Sequence, residues 1–424
     1  MVIASAMQPI WRFMVENNTQ LKEMIRSMVI DLLQGQKQEA ASSQPVKQAP
    51  RGQVEPGVFD TVDDAIQAAK AAQARFEDCT LATREKVIAD IRAAMRPRVQ
   101  ELAQKTVEET GMGRVADKVL KLNLTLDKTP GVEDLVTECE TGDNGMTLYE
   151  LSAYGVIGAI TPSTNPAETL ICNTIGMLAA GNAVFFSVHP GAKHLSRLLV
   201  SELNQIIAKS IGIENLIVTL REPSIESAQE MMLHPDVSLL VVTGGPGVVK
   251  QALQSGKKVI GAGAGNPPAF VDETADIKKA AQDIVLGASL DNNILCIAEK
   301  SVVAMRQIEP QLVQEMVKAG CVLIDNQQDI QRLVDLTVLP NGTPNKKFVG
   351  KNASVILDAA HIPYNGDPRL IIMRTPKDHP FAVIEMLMPI LPVVTVDSFD
   401  EGLDVCLMLE AGLHHTATMH SLNM

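Results

Sequence analysis

Hydrophobic positions along this chain follow more than one period. Residues 16–35, "ENNTQLKEMIRSMVIDLLQG", carry Leu21, Met24, Ile25, Met28, Val29, Leu32 and Leu33 at spacings of three and four. That period predicts one amphipathic helix, started by Asn18 or Thr19 and stopped by Gly35. The next stretch, "QKQEAASSQPVKQAPRGQVEPG", offers almost nothing to pack and predicts a flexible linker. A short helix on a tether cannot bury its stripe against itself. It needs either its own domain or another protein, and the tether favours another protein.

From about Val58 the period alternates between helix and strand. "DTVDDAIQAAKAAQARF" and "REKVIADIRAAMRPRVQELAQKTVEETG" are helical by spacing. "YGVIGAIT", "NAVFFSV", "NLIVTL", "VSLLVVTG", "KVIGAGAG" and "PAFVD" are short, β-branched and bounded by turn residues, so they predict strands. Helical runs such as "AETLICNTIGMLAAG" lie between several of them, a βαβ rhythm that predicts an α/β fold with parallel-rich sheets. After Cys296 a second alternating block predicts further strands at "CVLID", "SVILD", "RLIIMR" and "ILPVVTVD".

Composition narrows the function. The chain has 424 residues, 46% hydrophobic, enough for two or three folding units. A net charge of -13 and an aromatic content of 3% remove the basic face and stacking platforms that nucleic acid needs. No apolar run approaches the roughly 18 residues of a membrane span. The six cysteines show no CxxC pair, so neither a zinc site nor a disulfide framework is expected, and a reduced intracellular setting is.

Candidate chemistry sits at strand ends. "GAGAGN" at 261–266 starts like a dinucleotide fingerprint, but Asn266 replaces the last glycine and prolines follow, so the match fails. In "VTGGPGVVKQAL", Gly244, Gly245 and Gly247 fit either a phosphate cradle or an ordinary strand–helix turn. Asn165, in "AITPSTNPAET", fits either a helix cap or an amide donor for an oxyanion. Cys296, in "GASLDNNILCIAEK", fits either a small core residue or a nucleophile.

The joint order of these segments decides between the alternatives. From about Val58 onward the chain resembles the aldehyde dehydrogenase superfamily, and within it the CoA-acylating acetaldehyde and propionaldehyde dehydrogenases of bacterial microcompartments. The resemblance rests on "ETGMGRVADK", "TGDNGMTLYE", "YGVIGAITPSTNPAET", "VVTGGPGVVKQA", "GAGAGNPPAFVDETAD", "GASLDNNILCIAEK", "HPFAVIEMLMPILPVV" and "HHTATMHS". It implies two Rossmann-like lobes: an NAD-binding domain over 51–262, with an oligomerisation arm at 131–152, and a catalytic thiol domain over 263–424. It implies Cys296 as nucleophile, with Asn165 and the Cys296 backbone amide as oxyanion donors. Thr161, Pro162, Ser163, Thr243, Gly244 and Gly245 would line the NAD site, and Glu385 would hold the nicotinamide ribose. Residues 1–50 would be the targeting helix and linker, carrying the enzyme to shell proteins in the compartment lumen. A homo-oligomer is implied as well, and relatives continue a few dozen residues beyond "HSLNM". The histidines of "HHTATMH" are expected to be structural or to line a substrate channel, and no metal is expected.

One absence points to the second substrate. Hydrolytic members place a glutamate in an "ELGG" segment to arm water, whereas "GAGAGNPP" contains no carboxylate. Water, with a pKa near 15.7, needs a base or metal to attack at neutral pH. A thiol, with a pKa of about 8.5, is already partly ionised. Thiolysis of an acyl-cysteine by coenzyme A is therefore expected. Hydrolysis, acyl-phosphate reduction and a non-catalytic cargo role are the alternatives.

Overall fold

The β-branched runs build two sheets in a computed structural model that describes residues 55–423. The first contains β1 (Val58–Phe59), β4 (Val156–Ile160), β5 (Ala183–Ser187), β6 (Ile217–Leu220), β7 (Val237–Thr243) and β8 (Lys258–Ala262). Its order is β1-β6-β5-β4-β7-β8, parallel throughout. Every residue of β4, β5 and β6 is buried. Such strands have helices on both faces, which is why their sequences read as continuous apolar runs.

The covering helices are α1 (Val62–Glu77), α2 (Leu81–Met95), α3 (Val99–Thr110), α4 (Val115–Lys128), α5 (Pro166–Ala179), α6 (Lys193–Ile211), α7 (Ile225–Leu233) and α8 (Pro246–Leu253). The helical pattern over residues 84–111 is not one helix. It breaks at Arg96–Arg98, where Pro97 opens a short 3-10 turn and α3 restarts. Proline lacks the N–H an uninterrupted helix would use there.

The second sheet is also parallel, in the order β11-β12-β13-β10-β9-β14. Its strands are β9 (Pro268–Val271), β10 (Ser301–Met305), β11 (Cys321–Leu323), β12 (Leu370–Arg374), β13 (Ile390–Val396) and β14 (Thr418–His420). With it run α9 (Ile277–Ser289), α10 (Glu309–Lys318), α11 (Gln327–Thr337), α12 (Ala353–Ala359), α13 (Pro380–Val383) and α14 (Phe399–Glu410). Leu370 and Ile372 of β12 join one hydrophobic cluster and Ile371 and Met373 another, the alternation of a strand packed on both faces.

"SVILD", expected as a strand, is α12 instead. Ala353, Ile356 and Leu357 are its buried positions, a helical spacing that so short an apolar run conceals. Between the α4 helix and β4 projects an antiparallel hairpin, β2 (Glu138–Gly142) with β3 (Gly145–Tyr149), exposed at every residue. The amphipathic pattern of residues 16–35 lies outside the described residues.

Close packing of α14 on β9 requires a glycine. A Cβ on Gly402 would stand 2.4 Å from Phe270 Cζ, and that ring also stacks on Phe399 at 5.3 Å between centroids. Gly402→Ala is expected to destabilise the fold by about 1–3 kcal/mol, as overpacking does. Denaturant unfolding with an unchanged midpoint would contradict this packing.

Candidate active site

The Cys296 loop begins with an unusual backbone. After α9, three successive residues, Asp291, Asn292 and Asn293, take φ of 51°, 57° and 64°. Left-handed conformations cost non-glycine residues roughly 1–2 kcal/mol each, and Asp and Asn tolerate them best. Side-chain bonding holds all three in place. Asn292 Nδ2 donates to Gly350 O and Asn352 Oδ1, both at 2.8 Å. Asn293 Nδ2 donates to Ala288 O at 2.7 Å and Glu299 O at 3.0 Å. Asp291 N donates to Asp117 Oδ2 at 2.9 Å.

The fully buried Asp291 carboxylate is the centre of a charge cluster. It accepts from Arg114 N at 2.8 Å, from Lys118 Nζ at 2.9 Å and from Lys121 Nζ at 2.5 Å. Lys121 also pairs with Glu168 at 3.3 Å, and Arg369 pairs with Asp117 at 3.0 Å. Burial, then the neighbouring Lys121 charge, pushes Lys118 below the usual lysine range. Burial also works against Lys121, but Glu168 and Asp291 outweigh it and hold that ammonium above its ordinary value.

The same lysine reaches Asn165. Asn165 occupies the N-cap position of α5 but makes no side-chain cap bond; its Oδ1 accepts from Lys121 Nζ. With Oδ1 taken by an ammonium, Nδ2 is the amide's donor end, and it contacts Thr164 Oγ1 at 3.2 Å. The capping alternative therefore fails on geometry. Lys121 ties the Asn165 loop and the Cys296 loop to one helix, α4.

Cys296 itself is half-buried. Burial raises its thiol, Glu385 raises it further, and Lys300 opposes both. Gly265 is pressed against it: an added Cβ would lie 2.8 Å from Cys296 O and 2.9 Å from His415 Cγ. Gly265 N donates to Glu385 Oε1 at 3.2 Å, and burial raises that carboxyl. Asn266, which spoils the fingerprint, is a buried pin donating to Ala382 O and Leu409 O, both at 2.8 Å. Gly265 thus brings the "GAGAGN" segment against the cysteine backbone.

The other candidates line adjoining strand ends. Thr161 follows β4, with Pro162 and Ser163 beyond it; Thr243 ends β7, and Gly245 is the N-cap of α8. β4 and β7 are neighbours where the strand order reverses, the crevice in which open α/β sheets bind ligands. Two observations fit a dinucleotide there. Thr161 Oγ1 is buried without a partner, and a Cβ built on Gly245 or Gly247 would meet nothing within 4 Å.

A family model described as "Aldehyde dehydrogenase family" matches residues 33–421. The chain belongs to the aldehyde dehydrogenase family. It is 48% identical over 409 residues to a propanal dehydrogenase (CoA-propanoylating) of Salmonella typhimurium, covering 96% of this chain and 86% of that one. Among solved structures it resembles Rhodopseudomonas palustris propionaldehyde dehydrogenase with bound CoA and an acylated cysteine. That match has a TM-score of 0.85 at 47% identity and covers 88% of this chain and 85% of that one. A propionaldehyde dehydrogenase from the Clostridium phytofermentans fucose utilisation bacterial microcompartment matches with the same score and identity, over 87% and 85%.

Several groups of this aldehyde dehydrogenase site carry no sequence motif. Asp291, Lys118 and Lys121 read as ordinary loop and helix-surface residues, and Lys300 as the residue before a strand. His415 was grouped with His414 and His420, yet it is the one packed on Gly265 beside Cys296. The "DNN" run before the cysteine was the available signal, because Asp and Asn in succession favour left-handed backbone. Asp291→Ala would leave two buried ammonium groups without their shared carboxylate. Loss of about 3–5 kcal/mol in urea unfolding is expected, and wild-type stability would refute the cluster's role.

Proposed function

We propose that this aldehyde dehydrogenase oxidises a short-chain aldehyde, propionaldehyde or acetaldehyde, to its acyl-CoA with NAD and coenzyme A. The observation that carries the choice of CoA over water is the composition of residues 261–268. The segment where hydrolytic relatives place a glutamate holds no carboxylate here.

Cys296 is the nucleophile in this reading. Its thiolate adds to the aldehyde carbon, and the carbonyl electrons move onto oxygen as the C–S bond forms. Asn165 Nδ2 and the Cys296 backbone N–H hold that oxyanion. The Asn165 amide needs no reorientation during the reaction, because Lys121 already holds its oxygen. NAD, when bound, supplies the hydride acceptor that leaves a thioester on Cys296. Thr161, Pro162, Ser163, Thr243, Gly244 and Gly245 hold it, and Glu385 holds its nicotinamide ribose. The thiolate of CoA then attacks the acyl carbon, and Cys296 leaves as thiolate, restoring the starting state.

Among the described residues Glu385 is the carboxylate whose charge acts on Cys296, which makes it the candidate base of a hydrolytic rival. NADH formation from propionaldehyde with and without CoA separates the two. Multiple turnover is expected only with CoA, and equal rates would eliminate thiolysis. Asn165→Ala is expected to lower turnover about 10²–10³-fold, and Cys296→Ala to abolish it. Wild-type rates in either variant would remove that residue from the scheme.

The microcompartment lumen is the proposed location, as for the Clostridium phytofermentans relative. Residues 1–50 are the proposed tether to shell proteins. The alignment to the Salmonella typhimurium enzyme is longer than residues 55–424 can supply, so it runs into that leading segment. The hairpin β2–β3, with exposed Met146, Leu148 and Tyr149, is the proposed oligomerisation arm. Deleting residues 1–50 is expected to leave soluble activity intact and to abolish co-purification with shell proteins. Persistent co-purification would rule the tether out.

A further inference from the structure

Lys300 immediately precedes β10 and is 3% exposed. Its ammonium donates to Asn293 O at 2.9 Å, Asn293 Oδ1 at 2.7 Å and Leu295 O at 2.8 Å. An ammonium has three donors, and all three are used. A neutral amine would have only two hydrogens and would aim a lone pair at an oxygen, so the cage selects the charged form. Among the described residues no carboxylate pairs directly with it; the groups that face it are Glu385, Cys296 and Glu299. Burial draws Lys300 down to about 8, the cost of an ammonium without a paired carboxylate.

We propose that Lys300 is a positioning residue of the Cys296 site, orienting the Cys296 backbone N–H and, as an ammonium at neutral pH, favouring ionisation of the Cys296 sulfur. The inference rests on the reading of Cys296 as nucleophile. The carbonyl of Leu295 and the N–H of Cys296 belong to one peptide plane and point oppositely across it. Anchoring Leu295 O on the ammonium therefore fixes the direction of that N–H, the second oxyanion donor. The bond also draws electron density toward Leu295 O, which strengthens the N–H as a donor. The charge acts on the sulfur as well. Burial and Glu385 favour the thiol, Lys300 favours the thiolate, and His415 packs beside the same backbone from the C-terminal segment. Removing the cation leaves only the backbone N–H groups of Cys296 and Ile297 to oppose burial and Glu385.

The test is the pH dependence of Cys296 alkylation by iodoacetamide in the full-length enzyme, read from the mass of the Cys296 peptide. It is run beside kcat, KM and thermal unfolding. Lys300→Gln is expected to slow alkylation roughly tenfold at pH 7, where the wild-type ammonium is in place, and to lower kcat more than it raises KM. Lys300→Arg, which keeps the charge, is expected to retain the wild-type rate at pH 7. A Lys300→Gln enzyme with unchanged alkylation at pH 7 and unchanged kcat would overturn the proposal, and so would one whose only defect is a lower Tm. Should Lys300→Gln fail to fold, the wild-type profile decides: as Lys300 loses its proton near pH 8, alkylation is expected to rise less steeply with pH than one thiol ionisation requires, and a simple one-group curve overturns the charge account. Full turnover by Cys296→Ala would instead overturn the reading of Cys296 itself.

Discussion

The Asp291 carboxylate between Lys118 and Lys121 is the interaction on which the site depends. Asp291 belongs to the loop that carries Cys296, and the two lysines belong to α4. Without that contact the left-handed run 291–293 would have little to offset its backbone cost, and the Asn165 amide would lose its orienting ammonium. Buried ion pairs seldom add net stability over an apolar core of similar shape. Their presence here is explained by placement: one cation touches both the cysteine loop and the Asn165 amide.

A second constraint is the glycine roof. Gly265 lets the backbone come within contact of Cys296 O and the His415 ring, and its N–H is bonded to Glu385. A side chain at that position would displace either the cysteine loop or the histidine. Residues 261–268 themselves contain no carboxylate that could arm water. What remains open to the acyl group is an acceptor that ionises without help, and a thiol meets that condition.

The two constraints set opposing electrostatics around one sulfur. A half-buried thiol beside Glu385 resists ionisation. Lys300, bonded to Asn293 and Leu295 of the same loop, works in the other direction. In the reading proposed above, the same cation also faces the sulfur when Cys296 leaves as thiolate.

The sequence by itself determined the parallel α/β alternation, most strand positions, the placement of Cys296 between a helix and a strand, and the absence of a carboxylate in residues 261–268. These are legible because strand and helix periods, turn residues and missing residue types are properties of the string. The break at Pro97 could have been read from that proline, whereas the α12 helix could not be told from a strand in so short an apolar run. Only the tertiary structure decided that Lys118, Lys121 and Lys300 are buried, that Asn165 is oriented by a lysine rather than capping α5, and that His415 meets Gly265. Lysines on an amphipathic helix look solvated until the partner that dehydrates them is known, and here Asp291 lies far along the chain from α4. Charge burial is a property of contacts between distant segments, and no local pattern encodes it.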